Sequence, residues 1–155
     1  MRNITKAILV ALVLAGCGSS AKQMYKGKVR PKDKVAIVTG YKRTLATTRN
    51  KLKIHLRRVD GKDTEGAQSV AVLPGPHEFT INLEWYFARI SLPRAKVRFR
   101  TKAGHKYAIK AFCVSPAPGL RADVSYWVTD ETEGRVVWGN KPDIIGNPMR
   151  DTRSH

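Results

Sequence analysis

The chain has 155 residues, with 29 lysines and arginines against 12 aspartates and glutamates and a formal net charge of +17. One domain with one sizeable core fits that length, and two ordinary domains with a linker do not. Apolar residues make up 42% of the chain, which excludes disorder throughout. The charge says nothing of the fold but restricts partners to phosphates, carboxylates, acidic polysaccharides or anionic lipid heads.

Residues 1–16 have the layout of an export signal. Arg2 and Lys6 supply a positive start, Ala7 to Leu14 an uncharged apolar run, and Ala15 and Gly16 a small-residue cleavage zone before Cys17. The run is well short of the roughly 20 residues that a permanent spanning helix needs. The Gly/Ser/Lys stretch after it offers nothing for a buried helix to pack on. Leu14-Ala15-Gly16-Cys17 resembles a bacterial lipobox. The resemblance implies a diacylglycerol on the Cys17 thiol, cleavage before Cys17, and a second acylation of the new amino terminus. Two or three chains anchor stably where one anchors only marginally. Gly18 stands where an inner-membrane retention signal has Asp. The resemblance therefore implies the outer membrane, on its periplasmic face.

Cleavage there leaves 139 residues. Between Lys22 and Lys62 lie 14 basic and 2 acidic residues, so the membrane-proximal part carries most of the charge. Residues 17–33 have few large apolar side chains and no periodicity, and read as a flexible basic tether.

Strands are expected from Lys34 on. KVAIVTG (34–40) is rich in β-branched residues. In 50–59, Leu52, Ile54 and Leu56 alternate with Lys51, Lys53, His55 and Arg57, a period of two that ends at the turn pair Asp60-Gly61. A short strand over 67–73 is broken by Pro74-Gly75-Pro76. Alternation returns at Phe79–Trp85, Ala95–Thr101, Tyr107–Cys113 and Val124–Val128, and Glu131–Gly134 turns into Arg135–Trp138. The pattern predicts an all-β domain over 34–138, an antiparallel β-sandwich of about seven to eight short strands, with an irregular tail over 139–155.

The turns carry a second resemblance. Leu73-Pro74-Gly75-Pro76-His77, Ala103-Gly104-His105-Lys106-Tyr107 and the late hairpin from Asp130 through Gly134 to Val136-Val137 resemble those of a large group of small, uncharacterised bacterial lipoproteins. The first turn is also similar to that of PEGA-type surface domains. The resemblance covers roughly Val35 to Val137. It implies an all-β domain and no particular chemistry. The unusual basicity of this chain is a departure from the group.

Catalytic patterns are sparse. There is no nucleophile elbow, zincin helix motif, P-loop or dinucleotide fingerprint. Glu78 and Glu84 lie on one strand face six residues apart, too far for a close acid pair, and read as solvated charges. Cys113 sits among Ala111, Phe112 and Val114, the setting of an inert buried thiol. An intermolecular disulfide there is the lesser alternative. His77 and His105 each start a strand, where a ring bonds a backbone carbonyl or stacks on a neighbour. A shared metal or proton site is the sharper alternative, but two histidines without carboxylates make a poor ligand set. Neither metal nor cofactor is expected, nor an enzyme.

Two basic stripes carry the functional expectation. Arg94, Lys96, Arg98, Arg100 and Lys102 share one strand face at about 6.6–7 Å intervals. Lys51, Lys53 and Arg57 give a second stripe. In one sheet they would form a cationic plate. The plain alternative is a solvent face whose cations discourage edge pairing, although an ordinary wet face mixes signs. The expectation is a lipid-anchored binding module that contacts anionic envelope polymer, lipid heads or an acidic protein surface. The alternative is an assembly lipoprotein that meets a partner protein through Trp85, Tyr86, Trp127 and Trp138. Nucleic acid is disfavoured, because the export signal removes the chain from it and no aromatics interleave the stripes.

Overall fold

The computed structural model describes residues 21–44, 51–85, 90–91, 94–114 and 123–142. The signal 1–16, Cys17, Tyr86 and the tail from 143 on lie outside the described residues. Strands run in chain order as β1 (Lys22–Gln23), β2 (Ala36–Gly40), β3 (Lys42–Thr44), β4 (Lys51–Val59), β5 (Lys62–Asp63), β6 (Ser69–Val72), β7 (Gly75–Trp85), β8 (Ile90–Ser91), β9 (Ala95–Thr101), β10 (Lys106–Val114), β11 (Asp123–Asp130) and β12 (Arg135–Gly139). A single 3-10 turn, Lys32–Lys34, precedes β2. Among the described residues no helix is long and apolar enough to cross a membrane.

The strands form an all-β sandwich. The first sheet has the order β1-β6-β2-β10-β11-β12. The second has β3-β4-β7-β8, with β5 on β4 and β9 on β7. The period-two runs explain the layers. In β7, Phe79, Ile81 and Leu83 point inward and are fully buried, while Glu78, Thr80, Asn82 and Glu84 face out. In β9, Val97, Phe99 and Thr101 are buried and Lys96, Arg98 and Arg100 are exposed. Val38, Val70, Tyr107, Ile109 and Val128 of the first sheet close the core from the other side.

Two pairings depart from the antiparallel expectation. β10 runs parallel to β2, and β1 runs parallel to β6. Alternation reports which side a residue faces, not the direction of the neighbouring strand, so the sequence pattern is blind to this.

The passage from β2 to β3 joins the sheets. The Tyr41 amide donates to the Ile109 carbonyl in the first sheet (3.0 Å), and its own carbonyl accepts the Ile54 amide from β4 in the second (3.2 Å). One chain therefore belongs to both layers. Gly40 makes the crossing possible, because a Cβ there would strike the Ile54 carbonyl oxygen. The Gln68 amide nitrogen bonds the Gly40 carbonyl and also reaches the Ile54 carbonyl (3.3 Å).

The segment 17–33, read as a tether, joins the fold from Lys22 on. The Met24 amide donates to the Ala71 carbonyl (2.9 Å) and Met24 packs on the core. Two paired residues are too few to show a period, which is why composition alone reads them as linker. At the other end, β12 carries the domain through Gly139, one residue into the expected tail.

Candidate functional site

β4 and β9 lie in one sheet, on opposite sides of β7. The two basic stripes therefore share an outer face but are not neighbours. β7 brings carboxylates between them. Glu78 lies across from Arg98, and Glu84 across from Lys53.

Glu78 gathers two cations of the first stripe. Its oxygens lie 2.9 Å from Lys96 Nζ and 2.5 Å from Arg98 Nη2. The Lys96 ammonium, followed by the Arg98 guanidinium, holds its carboxyl below the usual range. Lys102 leaves the face altogether and meets Glu133 of the β11–β12 turn at 2.6 Å. Arg94 and Arg100 are exposed and form no ion pair with a described residue. Glu78 and Glu84, expected to be merely solvated, are thus partners: Glu84 takes the His55 ring nitrogen at 2.8 Å.

In the second stripe a bulge changes the roles. His55 pairs with Asn82 and Leu56 with Ile81, but Thr80 then meets Arg58 rather than Arg57. The extra residue leaves Arg57 unpaired in the ladder and turns Arg58 onto the outer face. Both guanidinium groups are exposed and free of ion pairs with described residues. Lys51 begins β4, at the opposite end of the strand from Arg57 and Arg58. Sequence reasoning missed Arg58 because strict alternation puts it on the buried side, and no residue type at this bulge announces it.

A second constellation lies through the core. His77, Phe79, Phe99, Tyr107 and His105 form a chain of ring contacts with successive centroid distances of 6.1, 5.1, 5.3 and 6.2 Å. Each terminal histidine meets an aspartate of a hairpin turn. His77 Nδ1 lies 2.6 Å from Asp60 Oδ2, and its Nε2 lies 2.7 Å from the Leu73 carbonyl, the kind of bond expected from sequence. Asp60 and Gly61 both have positive φ, the tight turn that suits a two-residue hairpin. Asp60 Oδ1 also accepts the Glu78 amide (2.9 Å).

At the other end, Asp130 is fully buried. Its Oδ1 accepts the amides of Thr132 (3.0 Å) and Glu133 (3.2 Å), and its Oδ2 takes His105 Nδ1 at 2.8 Å. The Tyr107 hydroxyl, beside this carboxylate, accepts the Lys102 amide at 2.9 Å. Burial, with the Asp130 charge beside it, raises the Tyr107 phenol above its ordinary value. Glu133 is bonded by Lys102 and by Arg135, and these two cations take its carboxyl down to about 2.

The two histidines do not meet in a shared site. His105 instead joins carboxylates that the sequence pattern does not place beside it. Donor atoms of His105, Asp130 and Glu133 all lie within 4.8 Å of one another. A divalent cation could be held there only by displacing the Lys102 and Arg135 charges from Glu133. As it stands the cluster locks a hairpin.

Two shallow clefts open among the described residues. One, of about 450 Å³, is lined by Tyr41, Lys53, Gln68 and Glu131 at the sheet crossing. The other, of about 400 Å³, lies along Pro76, His77, Arg98 and Arg100 on the basic face. Burial raises the Cys113 thiol to about 11, so it stays protonated at neutral pH. Of the aromatic residues named for an assembly role, Trp127 and Trp138 can be placed from their surroundings. Trp127 is 4% exposed, and Trp138 packs on the core. Trp85 ends β7.

No protein-family model, curated protein or solved structure matches the chain.

Proposed function

We propose that the chain is a membrane-anchored bacterial lipoprotein, a non-catalytic binding module whose basic sheet face contacts anionic components of the cell envelope. The lipobox resemblance at Cys17 supports the anchor and the periplasmic face of the outer membrane. One observation carries the binding reading. Arg57 and Arg100 stand exposed on β4 and β9 of one sheet and form no ion pair with a described residue, and neither does Arg58, although Asp63 of β5 lies opposite it in the ladder. Cations that an internal acid neutralises gain little from a second anion, whereas unpaired guanidinium groups take phosphate or carboxylate in a bidentate fork. The face is broad and its cleft shallow, which suits an extended polyanion better than a small enclosed anion. The active groups are therefore Arg57, Arg58, Arg94 and Arg100, with Lys53 farther along β4. Lys96, Arg98 and Lys102 serve mainly to tie strands and turns.

Pull-down of the full chain on purified peptidoglycan and on lipopolysaccharide, across a salt series, tests the reading. Binding should fall steeply with salt. Binding that ignores both salt and charge reversal at Arg57, Arg58 and Arg100 contradicts it.

A further inference from the structure

Residues 26–34, between β1 and β2, are exposed without exception. They carry Lys26, Lys28, Arg30, Lys32 and Lys34 against one acid, Asp33, which lies 3.3 Å from Lys34. Lys26, Lys28, Arg30 and Lys32 pair with no carboxylate among the described residues. Val29 stands in the middle of this run and is 83% exposed.

The loop has a defined shape. The Gln23 side-chain amide donates to the carbonyls of Tyr25 (2.9 Å) and Gly27 (2.8 Å). The Tyr25 hydroxyl accepts the Arg30 amide at 3.0 Å and closes the loop on itself. The Lys34 amide bonds the Pro31 carbonyl (3.0 Å), and the Gly104 amide ties the Val35 carbonyl to the β9–β10 turn (2.8 Å). A lone exposed valine is ordinary. A valine held out on a closed loop between four unpaired cations has the composition of an interfacial contact. An apolar tip can enter the boundary of headgroups and acyl chains while flanking cations meet lipid phosphates.

The distance along the chain selects the partner. β1 starts at Lys22, five residues after Cys17. Five residues fully extended span at most about 18 Å. With Cys17 acylated, the start of β1 stays within that reach of the glyceryl group, and the basic loop follows directly. The tether that composition suggests is too short to let the domain drift away.

We infer that residues 26–32 form a membrane-docking loop, in which Val29 enters the headgroup layer of an anionic leaflet and Lys26, Lys28, Arg30 and Lys32 bind lipid phosphates. The inference rests on the anchored reading above. It assigns the membrane to the loop beside β1 at the edge of the first sheet, and leaves the outer face of the second sheet as a separate surface for envelope polymer.

The test places a nitroxide at position 29 (Val29→Cys, with Cys113→Ala) in the full lipidated chain, in nanodiscs of phosphatidylglycerol and phosphatidylethanolamine. A matched sample carries the label at Ser125, an exposed position of β11. The label at 29 should be reached by oxygen more readily than by a water-soluble nickel chelate, and the label at 125 should show the reverse. Each cation near an anionic surface contributes about fivefold to association. K26E/K28E/R30E should therefore weaken docking by at least about 100-fold and return position 29 to the pattern of position 125. A label at 29 as water-accessible as that at 125 in the anionic discs overturns the inference. Intact mass reads the lipid on Cys17 separately. A chain without it removes the anchored reading, and the same label on phosphatidylglycerol vesicles then judges the loop by itself, with immersion supporting docking and water accessibility overturning it.

Discussion

His105 Nδ1 lies 2.8 Å from Oδ2 of Asp130, a carboxylate with no exposed surface. A carboxylate only accepts, so the ring nitrogen donates. The bond ties the start of β10 to the end of β11, whose residues Tyr107 and Asp130 are already opposite each other in the ladder. His77 and Asp60 repeat the relationship at the other end of the ring chain, between β7 and the β4–β5 turn. The turn motifs that mark the sequence are therefore clamps, each made of a histidine before or within one strand and an aspartate at a hairpin.

Replacing Asp130 should destabilise the fold strongly. Asp130→Ala strands the His105 ring and two turn amides, and the cost should be about 2–4 kcal/mol. Asp130→Asn keeps an acceptor for the turn amides and should cost about half as much. Urea unfolding measures both. A loss below about 0.5 kcal/mol for Asp130→Ala would show that the clamp carries no stability.

Acid should weaken the same hairpin through Glu133. Its carboxyl drops from an ordinary 4.5 to about 2 because Lys102 and Arg135 bond the ionised form. A depressed folded value stabilises above the unfolded value and is lost as pH falls through the folded one. The contribution should thus be complete above about pH 4.5 and fade toward pH 2. Urea midpoints measured across that window should fall less in Glu133→Gln than in the parent. Parallel curves for the two proteins would sink this assignment.

Cys113 should be nearly inert. With its thiol at about 11, against an ordinary 9, the thiolate fraction at neutral pH falls by roughly 100-fold. In a Cys17→Ala chain, reaction with a chromogenic disulfide should be slow in buffer and fast in urea. Native reaction at the rate of the unfolded chain would contradict the burial. It would also reopen the intermolecular disulfide that sequence left as the lesser alternative.

Much of this architecture was legible in the residue order. Phe79, Ile81 and Leu83 alternate with polar residues because one side of β7 faces the core and the other faces water, and the eight alternating or β-branched runs all became strands. Asp60-Gly61 and Glu131–Gly134 were recognisable as turns from local chemistry. What topology decides was not legible. No local pattern says that β10 lies parallel to β2, or that Lys22–Gln23 joins β6. The basic stripes were found in sequence, but the partial pairing of the first was not, since Glu78 reaches Lys96 and Arg98 only across a strand pair. Arg58 was hidden by a bulge that breaks the period between Leu56 and Arg58. The carboxylates of Asp130 and Glu133 lie more than twenty residues from His105 along the chain, and only the β10–β11 ladder brings them together.

The division of the basic face into paired and unpaired cations is most directly tested by comparing two variants for binding to lipopolysaccharide at low salt. R57E/R58E/R100E should lose at least about 30-fold in affinity with an unchanged urea midpoint. Lys96→Gln/Arg98→Gln should lose less than about tenfold, because Glu78 balances one of the two charges and holds both side chains. Equal losses in the two variants, or binding by the parent that does not respond to salt, would contradict a binding face built on Arg57, Arg58 and Arg100.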